Sequence, residues 1–149
     1  MEQTISSLDL SLVKMKLMDP DEGQGWSKEQ CDAAEKEYKR FLNLVYVFNN
    51  AVPTRAMDIF WHQHILDTRA YYDDSKKIFG DYLHHYPYFG MFGEDDHNNL
   101  VSSFELTKQR YKEIYNEDLD RENGLSSEFN KCHTCNGRCS HCNRPFSDN

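Results

Sequence analysis

Apolar spacing restricts this chain most. Wherever apolar residues are dense they recur at helical intervals, and no segment reads as a strand. Leu8, Leu12 and Met15, with Leu10, Val13 and Leu17 near the same stripe, predict a short amphipathic helix broken at Asp19-Pro20 and by Gly23 and Gly25. Ser27, with Gln30 three residues on, predicts a capped helix to about Phe48 carrying Tyr38, Phe41, Leu42, Val45 and Phe48. After the turn signals Asn49-Asn50 and Pro53, Thr54 can cap a third helix through Leu66 bearing Met57, Phe60, Trp61 and Ile65. A fourth starts at Asp67-Thr68, carries Tyr71, Tyr72 and Ile78, and stops at Gly80. Tyr82 to Gly93 is aromatic and irregular. Glu94, Asp95 and Asp96 then open a last helix to about Tyr115, with Leu100, Phe104, Thr107, Tyr111 and Ile114 on one side. The expectation is an all-α bundle of about five helices.

The 149 residues suit one compact domain. Only 38% are hydrophobic but 13% are aromatic, so large rings are expected to supply much of the core. Core-forming residues thin out after position 119. The expected division is therefore a helical domain over 1–119 and a polar, irregular, cysteine-rich tail over 120–149.

Seventeen basic against 25 acidic residues give a net charge of -8, which disfavours nucleic acid or an anionic membrane as the main partner. No apolar run approaches a membrane span, and the first residues carry Glu2 and Asp9 rather than a basic-then-apolar signal, so a cytoplasmic location is expected.

Five of seven histidines stand at 62, 64, 84, 85 and 97, the first two within WHQHILD. Asp58 and His62 are four apart and share a helix face, so they can hold one metal ion or hydrogen-bond each other. His64 points elsewhere on a regular helix. Either the helix breaks near Asp67 or the two histidines divide roles. The expected site is a mononuclear divalent centre of Asp58, His62, His64 and His85, zinc first, with iron or copper as alternatives. Trp61, Asp67 and Tyr71 are expected to orient or shield it, with Phe60 and Tyr88 nearby. The competing reading makes Trp61, His64 and Tyr71 core residues and has His62 merely bonded to Asp58. His84 reads as a packing residue and His97 as solvated.

The ordered string Asp58, Trp61, His62, His64, Leu66, Asp67, Tyr71, Gly80 and His85 resembles the glycine-rich domain-containing protein-like family. Its short bacterial members are most similar, through ILDTRAY and FGDYLHHYPYFGMFGEDD. The resemblance spans roughly residues 5–118 and implies a helical domain. It implies no activity, and the chain lacks the glycine-rich extensions of longer members.

Cys132, Cys135, Cys139 and Cys142 form two C-x-x-C pairs separated by three residues, with His133 inside the first pair and His141 inside the second. In a reducing compartment such thiols point to a second metal site for zinc or copper(I). The last three also match a radical S-adenosylmethionine spacing, but the chain has neither the length nor the strand–helix repeats of that fold. Cys31 stands alone and reads as a buried small residue.

Three functions fit. The first is a metal-binding protein. The second is an enzyme whose ion activates water or dioxygen, with Asp58 as base and Tyr71 or Tyr72 as proton donor. The third is an interaction or metal-handling module that meets a protein partner through its tail, or carries the tail as a cysteine-rich peptide substrate.

Overall fold

The computed structural model describes residues 1–120. They form six helices: α1 (Glu2–Ser6), α2 (Ser11–Met18), α3 (Lys28–Phe48), α4 (Arg55–Leu66), α5 (Thr68–Phe79) and α6 (Gly93–Tyr115). No strand occurs among the described residues. The last five helices are those expected from spacing, while α1 is a single short turn that periodicity did not reveal.

The caps form as the sequence suggests. Ser27 Oγ accepts from Gln30 N at 3.1 Å, and Gln30 Oε1 accepts from Ser27 N at 2.8 Å. Thr54 Oγ1 accepts from Met57 N at 3.3 Å, and the Met57 sulfur takes the reciprocal position on Thr54 N. Gly80 closes α5 at φ 76°, a left-handed conformation that costs glycine nothing.

α3 is the central helix and packs against α1, α2, α4 and α6. Its Cys31, Ala34, Tyr38, Phe41 and Leu44 are essentially inaccessible. Against them lie Leu17 of α2, Met57 and Phe60 of α4, and Tyr111 of α6. Tyr38, Tyr71 and Tyr111 are buried with their hydroxyls bonded, which lets large amphipathic rings serve as core. Arg40 donates to the Tyr111 hydroxyl at 2.7 Å and to Glu117 at 2.9 Å, fastening the end of α6 to α3.

Two expected stripes are corrected. Leu12 and Met15 face solvent, because α2 begins only at Ser11 and turns Val13 and Leu17 inward; Leu8 and Leu10 are buried from the segment before it. On α6, Leu100, Phe104, Thr107 and Tyr111 are buried, but Ile114 is exposed, because the face toward α3 continues through Tyr115, which meets Asn43 and Arg40.

Candidate metal centre

Thr54 caps α4, and that start sets the phase of its next three turns. Asp58 and His62 project one turn apart from the same face, with Asp58 Oδ1 3.5 Å from His62 Nε2. The third group comes from the loop after α5. Trp61 Nε1 donates to the Tyr71 hydroxyl at 2.8 Å, and that hydroxyl donates to the Leu83 carbonyl. This chain of bonds anchors the loop two residues before His85. The Trp61 ring then packs against the His85 ring, with centroids 4.1 Å apart. So held, His85 Nε2 stands 2.8 Å from Asp58 Oδ1 and 3.0 Å from His62 Nε2.

Donor atoms about 2.0–2.1 Å from one zinc ion lie about 2.8–3.4 Å apart in octahedral or tetrahedral arrangements. The separations of 2.8, 3.0 and 3.5 Å span that range. Proton bookkeeping favours the same reading. If His85 Nε2–H donates to Asp58, His62 Nε2 faces the same hydrogen as a competing acceptor; if both imidazoles are protonated there, two donors oppose each other. A single cation satisfies all three lone pairs at once. Burial, the largest influence, holds His62 below its ordinary pKa and outweighs the attraction of Asp58; the charge of His85 acts in the same direction as burial. A neutral imidazole is the form that ligates. The three groups are partly buried, with side-chain exposures of 33% for His62, 20% for Asp58 and 14% for His85, so solvent can reach the cluster.

His64 is not part of this cluster, and its expected role as a ligand is corrected. α4 remains regular through Leu66, so His64 points to the opposite side and is 2% exposed. Its Nε2 lies 2.9 Å from Asp74 Oδ2 and its Nδ1 2.8 Å from the Tyr38 hydroxyl. A carboxylate can only accept, so the proton sits on Nε2 and Nδ1 accepts from Tyr38. Both nitrogens are occupied. Burial, its largest influence, holds His64 below its ordinary pKa despite Asp74.

The surrounding expectations divide. Trp61 and Tyr71 support His85 as described. Asp67 instead caps the junction of α4 and α5 and bears electrostatically on His64. Phe60 packs against Tyr38 within the core, and Tyr88 is exposed beside Tyr86 and Phe92. Tyr71, pushed up to about 12 mainly by burial and with its hydroxyl proton committed to Leu83, is poorly suited as a proton donor; Asp58 as a ligand would not be a free base. His84 packs edge-on against Tyr82, and His97 is exposed. Cys31 is buried, and burial raises its thiol to about 11. Cys132, Cys135, Cys139 and Cys142 lie outside the described residues.

Sequence reasoning missed Asp74 and Tyr38 as partners of His64, because their pairing crosses elements and carries no local spacing signal. It also missed a cavity of about 900 Å³ beside the cluster, bounded by Asp58, Trp61 and His85 and by the start of α4, the Leu83–Met91 loop and α6. Gly90 at φ 89° lets that loop close on α6; a Cβ there would lie 2.5 Å from the Leu100 side chain. Asp96 fixes the same turn by accepting from Gly90 N and Phe92 N. Among the described residues, no helix is long and apolar enough to cross a membrane.

A family model described as UCP032817-like matches residues 2–127. No curated protein and no solved structure matches the chain.

Proposed function

This chain belongs to the UCP032817-like family, and we propose that it binds one divalent metal ion through Asp58, His62 and His85. The observation that carries the proposal is the convergence of one carboxylate oxygen and two imidazole nitrogens, all within 4.8 Å of one another. Two histidines and a carboxylate suit zinc or iron(II), with copper a weaker fit to the oxygen donor. Three protein ligands leave a position for water or another molecule. The ordered string by which the chain resembles the glycine-rich domain-containing protein-like family contains all three residues and implies no reaction.

An enzyme is the second reading, favoured by the cavity that opens along Asp58 and His85. In that case the ion would supply Lewis acidity or activate water or dioxygen. The four tail cysteines form a separate proposed thiolate site, through which a protein partner would exchange metal; cytoplasmic residence fits reduced thiols.

Elemental analysis after purification without added metal tests the reading. The full chain is expected to hold stoichiometric metal, the His62→Ala and His85→Ala variants to lose the helical site's share, and a chain ended after Ser127 to retain it. Metal-free wild type that takes up no added zinc or iron(II) would overturn the proposal.

A further inference from the structure

The loop that supplies His85 also walls the cavity. It is fastened at both ends, by the Tyr71 hydroxyl on the Leu83 carbonyl and by Asp96, which accepts from Gly90 N at 2.8 Å and Phe92 N at 3.1 Å. Between those ends His85 meets Asp58, while Leu83 and Phe89 line the cavity. Val52, just before α4, and Leu100 and Leu106 of α6 continue the apolar wall, and the volume of about 900 Å³ is that of a small-molecule site. Asp58 and His85 lie on the wall and His62 does not, so an ion held by all three would sit at the cavity's edge. Among the described residues, Asp58 is the one carboxylate on that wall. It would cancel one of the ion's two charges, and imidazoles ligate in their neutral form, so the loaded cluster stays positive and complements an anion.

We propose that the cavity binds a small apolar molecule with an anionic oxygen head that ligates the metal. The head takes a position that the three protein ligands leave open, and the body lies against Val52, Leu100 and Leu106. The inference rests on the metal-site reading and adds to it the class of ligand. Because one loop carries both a metal ligand and part of the apolar wall, the molecule and the ion should each raise the other's affinity by the same factor.

Calorimetric titration of the full chain, metal-free and zinc-loaded, tests this with three probes. 3-Phenylpropanohydroxamate has head and body, acetohydroxamate the same head without the body, and 3-phenylpropanamide the body without the anionic head. The first should bind the zinc-loaded chain saturably, at least about tenfold tighter than either of the others and at least about tenfold tighter than it binds the metal-free chain. His62→Ala, which leaves the tail cysteines in place, should erase the gain from zinc. Ser103→Phe, which sets a ring into the cavity from α6, should erase the advantage over acetohydroxamate and leave zinc uptake as in wild type. If Ser103→Phe does not fold, Leu106→Asp at a half-exposed position should do the same. Equal binding of the two hydroxamates, equal binding with and without zinc, a gain that survives in His62→Ala, or an advantage that survives the cavity variant would overturn the inference. Zinc uptake is measured separately by competition with a chelator. Uptake without these differences sinks this inference alone, whereas absence of uptake sinks the metal site and this inference with it.

Discussion

His85 Nε2 lies 2.8 Å from Asp58 Oδ1 although 27 positions separate them in the chain. The approach depends on the end of α5 and on the Trp61–Tyr71–Leu83 chain of bonds, so the cluster couples α4 to the loop. If it binds metal, each ligand should matter separately. Asp58→Ala, His62→Ala and His85→Ala should each weaken zinc affinity by more than about 100-fold, since losing an outer partner alone costs about 10–100-fold. Competition against a chromophoric chelator measures this, and an unaffected variant would remove that residue from the ligand set.

His64 should behave in the opposite way. His64→Ala strands the Tyr38 hydroxyl and the Asp74 carboxylate and opens a void, so unfolding in urea should show a loss of about 2–4 kcal/mol. Zinc affinity of the folded fraction should stay within a few-fold of wild type. A large loss of zinc affinity with unchanged stability would reverse the assignment of the two histidines.

Tyr71→Phe keeps the ring and removes the hydroxyl between Trp61 and Leu83. Stability should fall by about 1–3 kcal/mol, because the indole N–H and the carbonyl lose a buried partner. Zinc affinity should fall by about 10–100-fold, as for other groups that orient a ligand. Equal affinity in the two proteins would mean that the loop holds His85 without this bond.

Glu37 gives a pH prediction away from the metal site. Burial, the largest influence, raises its carboxyl above the ordinary value of 4.5, while the Tyr111 hydroxyl bonded to it at 2.9 Å pulls the other way. Among the described residues, its second oxygen is buried without a hydrogen-bond partner. The folded protein therefore holds this proton more tightly than the unfolded chain. That stabilisation is complete below about pH 4.5 and is lost as pH rises through the folded pKa. Glu37→Gln cannot ionise, so denaturation at stepped pH should show the stability difference moving in favour of glutamine as pH rises above 4.5. A difference independent of pH would contradict the raised pKa.

The helices were legible because their signals are local. Ser27 with Gln30, Thr54, Gly80 and the acids at 94–96 act within one turn of the ends they mark. The stripe on α2 was misread because Leu8, Leu10, Leu12 and Met15 fit helical spacing as well as Val13 and Leu17 do. Only the packing partner decides which side of such a short element is covered. Two of the three cluster residues were legible for the same local reason, since Asp58 and His62 are one turn apart. His85 could be named from its residue type, but nothing in its spacing fixed the approach.

For the stretch from Asp58 to Asp67, residue spacing left a helix break near Asp67 open but set the shared face of Asp58 and His62 and, on an unbroken helix, the divergence of His64 from that face. Those follow from 3.6 residues per turn and hold wherever the helix is placed. Tertiary structure alone decided what each face meets: His85 and the cavity on one side, Tyr38 and Asp74 on the other. Side-chain direction is a short-range consequence of backbone geometry, whereas its partners come from distant segments whose positions depend on how the whole core packs.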